Sequence, residues 1–148
     1  MPPELHRKIL DILARHNNVT IATLRPDGYP QATTVGYASD GLTIYFGCAP
    51  QSQKAQNLAR DPRVSAAIDE DHQNWNEIEG LSLAGTARHV TDVAEFAKVE
   101  SLFAAKFPQM GAFSAEDVAR LIVFRVTPSV ISVLDYSKGF GHSDLVTV

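Results

Sequence analysis

Cysteine is nearly missing from this chain. Cys48 is the only one in 148 residues, so no internal disulfide can form, which suits a reducing compartment. No apolar run approaches the roughly 18 residues that a bilayer-spanning helix needs. The opening stretch MPPELHRKILDILARH lacks an unbroken apolar segment followed by a small-residue cleavage site, so it does not read as a secretory signal. Excess positive charge is lacking too: the net charge is −4, which argues against a broad nucleic-acid footprint. The five histidines (His6, His16, His72, His89 and His142) show none of the pair spacings of a zinc motif, and no metal site is expected. Internal repeats, low-complexity tracts and linkers are also wanting. What remains is 45% hydrophobic and 20% charged, ordinary for a globular domain. A chain of this length can bury enough surface to need no covalent or metal staple. The expectation is one cytoplasmic domain over residues 1–148.

The pattern along the chain is a helix followed by hairpins. Leu5, Ile9, Ile12 and Leu13 recur at helical spacing, with Pro2 and Pro3 at the helix start, so residues 1–16 read as an amphipathic helix lying on a larger body. The period then changes to two. VTIATL (19–24), QATTVGYAS (31–39) and LTIYFGC (42–48) alternate as strands, and each junction carries Asp-Gly, a strong hairpin signal. A short helix over 53–61 stops at Pro62, and RVSAAID (63–69) is a fourth strand. A polar loop leads to a long strand over 78–90, where Gly80 and Gly85 suggest bends or bulges. Asp92 and Glu95 mark the start of a helix carrying Phe96, Val99, Leu102, Phe103 and Phe107. After a loop (109–113) and one helical turn from Ser114, residues 121–126 and 129–135 read as two last strands. The tail, 136–148, is too rich in glycine and polar residues to assign. Six or seven strands dominated by hairpins imply a mainly β, antiparallel fold that closes into a barrel with about three helices.

One junction carries chemistry. CAPQSQKAQNLARDPRV (48–64) sets Ser52 and Lys54 where a strand gives way to a helix. A helix start offers unpaired backbone N–H groups and a positive dipole end. Ser52 at the N-cap adds a hydroxyl, and Lys54 in the first turn adds a full charge. Lysine sits on the wrong end of a helix for the dipole, so an anion such as a phosphate monoester explains it better than helix stability does. Against that stands the ordinary capping role of serine and the frequency of solvated lysines.

The stretch DGYPQATTVGYASDGLTIYFGCAPQSQKAQNLARDPRVSAAID (27–69) resembles the flavin-binding split-barrel family related to pyridoxamine 5′-phosphate oxidase. The shared features are a Gly-x-Pro before the second strand, an aromatic third strand, Ser-x-Lys-Ala entering a helix, and Asn-Leu…Asp-Pro-Arg-Val leading to the fourth strand. The resemblance is good over about 17–90, and the strand order fits to about 135. It implies a homodimer of split barrels with FMN in clefts at the subunit interface. By position, Thr33, Thr34, Val35 and Gly36 would face the flavin ring and ribityl chain, and Tyr45 and Phe46 would flank the cofactor. Ser52, Gln53 and Lys54 would hold its phosphate, with Asn57 a weaker candidate, and Trp75 would reach the flavin region. The vitamin-processing oxidases carry arginines where this chain has Thr33 and Gln53. They also end in an arginine-and-histidine motif that is not matched by KGFGHSDLVTV. The fold and flavin site therefore transfer better than the reaction.

Several readings stay open. The chain is expected to be an FMN-dependent oxidoreductase of unknown substrate, with no catalytic side chain named because the flavin supplies the chemistry. A flavin- or haem-binding protein without turnover, serving a stress response, and a deazaflavin-dependent reductase are the alternatives. Tyr136 and His142 in the tail would lie near the substrate if that segment folds over the cleft; otherwise the tail is an ordinary mobile terminus. The Phe96–Phe103 stripe is most simply core or dimer packing. Cys48 reads as a small apolar strand-end residue.

Overall fold

The computed structural model describes residues 1–112 and 114–148; Phe113, the last residue of the expected 109–113 loop, lies outside them. Helix α1 (Pro3–Arg15) begins at a proline and buries Ile9, Ile12 and Leu13. Its polar side is pinned to the sheet. Lys8 Nζ lies 2.5 Å from Glu79 and 3.3 Å from Asp135, and Arg15 also pairs with Glu79. Burial opposes ionisation of Glu79, yet the hydrogen bonds from Lys8 and Arg15 win and hold its carboxyl below the usual range.

Eight strands follow: β1 (Asn18–Leu24), β2 (Pro30–Gly36), β3 (Ala38–Asp40), β4 (Thr43–Cys48), β5 (Arg63–Ile68), β6 (Glu79–His89), β7 (Ile122–Asp135) and β8 (Ser143–Thr147). Every pairing among them is antiparallel, and the order is β2-β1-β5-β6-β7-β4-β3, with β8 added beside β7. The first and last strands of that path are separated in the chain by Tyr37 alone. One run of chain, 30–40, therefore forms both ends of the sheet, pairing with β1 through its first part and with β4 through its last. A sheet whose two edges are the same piece of backbone is closed upon itself. This is the closed antiparallel barrel that the hairpin pattern predicts, in the split form that the family resemblance implies, with one more strand than the upper expectation.

Two strands are new against the expected seven: the expected 31–39 strand is divided at Tyr37 into β2 and β3, and the tail adds β8. Residues 143–147 pair with Val130–Leu134 of β7, beyond the reach of β4, which covers Ile122–Val126. The two expected final strands are in fact one, because Pro128 does not interrupt β7. Proline has no N–H to give to a ladder, and here it faces the bulge where the β6–β7 register shifts at Ala84/Gly85. A Cβ on Gly85 would stand 2.2 Å from the Thr127 carbonyl oxygen, so only glycine fits the close approach.

Inside the barrel, Val19, Ile21, Phe46, Ile68, Val126 and Ile131 form the main core with the buried face of α1. A smaller cluster lies outside it, where α3 (Val93–Lys106) covers Tyr45, Val90 and Val123 with Val99, Phe96, Leu102 and Phe103. The aromatic stripe of α3 is thus packing. Asp92 caps α3 by accepting from the Glu95 N–H, but Glu95 does not return the bond; its carboxylate turns to Tyr45 and Arg125. The complete capping box belongs to α4 (Ala115–Ala119), between Ser114 and Asp117. Among the described residues no helix is long and apolar enough to cross a membrane.

Candidate functional site

Helix α2 (Gln53–Arg60) starts as its sequence predicts. Ser52 has extended backbone angles and its side chain accepts from the Ala55 N–H at 3.3 Å. No acidic residue stands in the first turn, so α2 does not neutralise its own positive end, and half-buried Lys54 adds to it. At the other end Arg60 provides the expected cation. Asp61 then receives the backbone N–H and guanidinium of Arg63. The Arg63 hydrogen bonds hold its carboxyl down at about 2. The Asp-Pro-Arg stretch is therefore a structural clasp between α2 and β5.

Asn57 proves to be the joint between α2 and the barrel. It is fully buried. Its amide donates to Thr23 Oγ1 at 3.0 Å and to Gln31 Oε1 at 3.4 Å, and its carbonyl accepts from Gln53 Nε2 at 2.8 Å. Of the expected phosphate residues, Gln53 is thus partly committed to holding Asn57, and Asn57 itself serves the architecture. The link also fixes which face of β2 lies beneath α2. Gln31, Thr33 and Val35 are the more buried positions, alternating with exposed Ala32, Thr34 and Gly36. Thr33 follows Gln31 on that face, and its hydroxyl is buried without a hydrogen-bond partner. A buried, unpaired hydroxyl is costly unless something else meets it.

The remaining expected residues divide. Val35 packs on the main core. Thr34, on the outer face, shares a 2.9 Å hydrogen bond with Thr20 across the strand pair. Gly36 faces a cavity of about 270 Å³ walled by Phe103, Phe107, Met110, Leu121 and Gly47. Sequence reasoning missed this cavity, because its walls come from segments some 70 residues apart. Tyr45 and Phe46 are buried on opposite sides of β4. Phe46 stacks on Phe124 in the barrel core, centroids 5.5 Å apart. Tyr45 lies under α3 and donates its hydroxyl to Glu95 at 3.0 Å. Burial first, and then this bond, push the Tyr45 phenol upward. Both side chains are committed to packing, which leaves only backbone at these positions for a cofactor. Trp75 is 64% exposed and stacks on Phe140, itself against Tyr136. The tail is ordered here: Lys138 and His142 both bind Asp144, at 3.2 and 3.0 Å, and the Asp135 N–H donates to the His142 carbonyl.

The chain matches a family model described as pyridoxamine 5′-phosphate oxidase over residues 5–135. It is 24% identical over 132 residues to general stress protein 26 of Bacillus subtilis, with 89% of each chain covered. Among solved structures, a conserved hypothetical protein from Mycobacterium tuberculosis superposes with a TM-score of 0.77 and 26% identity, covering all of this chain and 92% of the other. A haem-binding protein from Mycobacterium smegmatis superposes with a TM-score of 0.81 at 23% identity over 99% of this chain. This chain spans only 59% of that protein, and the likeness bears on the fold alone.

Proposed function

The chain belongs to the pyridoxamine 5′-phosphate oxidase family, and on that footing we propose that it binds FMN and works as a homodimeric oxidoreductase of the cytoplasm. The observation that carries this reading is the pairing of two unmet needs on adjoining elements. The start of α2 has a lysine and no acid to balance it, and the Thr33 hydroxyl of β2 is buried with no acceptor. A phosphate monoester answers both, accepting hydrogen bonds and carrying negative charge. Ser52, Lys54 and Thr33 would hold the phosphate, with Gln53 contributing what its bond to Asn57 leaves free. Backbone groups of 33–36 would lie along the ribityl chain and ring. Bound FMN would supply the electron transfer, and the chain would bind and orient it.

The test is binding of FMN against riboflavin. Lys54→Ala should weaken FMN by about 10–100-fold, the value of a charge-assisted bond, and leave riboflavin nearly unchanged. Equal losses for both ligands would remove the phosphate role. A second reading, haem held without turnover, takes support from the description of the Mycobacterium smegmatis neighbour as haem-binding. The absorption spectrum of the isolated protein separates the two: an oxidised-flavin spectrum bleached by NADH or NADPH favours the first, a Soret band the second.

A further inference from the structure

Three side chains, one from before β1 and two from just after β5, come near one another where β1 begins and β5 ends. These strands are antiparallel neighbours, with Thr20 opposite Ala67. Running that register outward brings His16, two residues before β1, beside the segment that follows β5. His16 is only 5% exposed. Its Nδ1 lies 2.8 Å from the Ile12 carbonyl oxygen, and since a carbonyl only accepts, Nδ1 carries the hydrogen. In the neutral ring the lone pair is then on Nε2. That atom is buried with no hydrogen-bond partner and lies 3.8 Å from Glu70 Oε1. His72 approaches the same carboxylate. Its Nε2 is also buried and unpartnered, and it stands 3.8 Å from the same oxygen.

At His16 a lone pair faces a carboxylate across a gap too long for a hydrogen bond, which is unfavourable unless a proton on the ring or a metal cation between the two supplies positive charge. We propose that His16, His72 and Glu70 bind a divalent transition-metal ion with the preferences of zinc. Two imidazoles and one carboxylate are a donor set that zinc accepts, with water in the fourth position. The His16 bond to Ile12 is the kind of outer contact that fixes the tautomer and aim of a ligating histidine. Among the described residues no group of three such side chains is placed to hold a metal ion as it stands. Ligand bonds of about 2.0–2.2 Å put N and O about 3.3 Å apart in a tetrahedral site, so the gaps must shrink by about half an ångström. Glu70 is exposed and lies beyond the end of β5, where its side chain is able to swing inward. Bound there, the ion would tie the α1–β1 junction to the β5–β6 connection. The spacing rules for zinc motifs do not reveal it because one ligand comes from the other end of the strand pair.

The experiment uses the full, untagged chain stripped with a chelator, titrated with Zn²⁺ by calorimetry and with Co²⁺ by visible absorption. One ion per chain should bind, and Co²⁺ should give the intense bands of a four-coordinate site. His72→Ala and Glu70→Ala should each weaken Zn²⁺ by at least about tenfold while the far-ultraviolet circular dichroism stays as in the parent. These two positions are chosen because His16→Ala also removes a buried packing residue. Absence of uptake at neutral pH would overturn the proposal and leave the gap to a water molecule. Uptake that both variants retain at full strength would overturn it equally, since the ion would then sit elsewhere.

Discussion

Lys106 Nζ stands 3.7 Å above the centroid of the Tyr37 ring, and the two side chains share one acceptor. The Tyr37 hydroxyl donates to the Leu13 carbonyl oxygen at 2.7 Å and the Lys106 ammonium to the same oxygen at 3.2 Å. The last turn of α3, the end of α1 and the residue between β2 and β3 are thereby tied at one atom. Burial raises the Tyr37 phenol and lowers the Lys106 ammonium to about 8.

This predicts a pH dependence. The folded Lys106 loses its proton near pH 8, whereas an unfolded lysine keeps it to about 10.5. Between those values the unfolded chain holds more protons, so this group makes stability rise with pH across that window. Below pH 8 both states are protonated and the slope vanishes. Urea unfolding at pH 7.5 and 9.5 should show a gain at the higher pH, on the order of 1 kcal/mol, that Lys106→Met abolishes. An identical slope in parent and variant would refute it.

Glu95 receives both Tyr45 and Arg125, and its hydrogen bond from Arg125, then that from Tyr45, hold its carboxyl below the usual range. Tyr45→Phe should cost about 1–2 kcal/mol, as for a bond to a charged acceptor. In a Glu95→Gln background the same change should cost less, because the two act as one unit. Full additivity in a denaturation cycle would show that the Tyr45 hydroxyl does not depend on the charge.

Asn57→Leu keeps the volume but strands Thr23 and Gln31 beneath α2. The expected loss is about 2–4 kcal/mol by chemical denaturation, from buried Thr23 and half-buried Gln31 and Gln53 left unpaired. Hydrogen exchange should report the damage first in α2. A protein as stable as the parent would mean that water replaces the amide without cost.

Gly85→Ala drives a methyl group into the Thr127 carbonyl. The backbone on both sides must move, and a loss of about 2 kcal/mol or more is expected. Thermal unfolding measures it; an unchanged midpoint would mean that the bulge relaxes freely.

Much of the barrel was legible because its signals are local. Alternation in 19–24 and 42–48, and the Asp-Gly turns whose Gly28 and Gly41 adopt positive φ, place the early hairpins within a residue or two. The break at Tyr37 was not legible, since its cause is a change of partner strand. Pro128 misled for the opposite reason: it marks a break by itself, and only the facing Gly85 bulge lets β7 run through. The tail strand has no period of its own and exists because β7 outruns β4. At the site, the Ser52 cap was readable from four residues, whereas the burial of Tyr45 and Phe46 depends on α3 and on the barrel interior. The His16–Glu70–His72 cluster depends on register.

Because a lone residue, Tyr37, joins the two terminal staves, the seam of the cylinder costs almost no loop-closure entropy. A folding chain that has made its first and second hairpins has already brought those staves together. The slow search must lie in docking β7, which follows β4 by 73 residues and whose pairings are the most distant in the chain. Folding rate should accordingly respond to the β6–α3–β7 segment far more than to changes around residue 37.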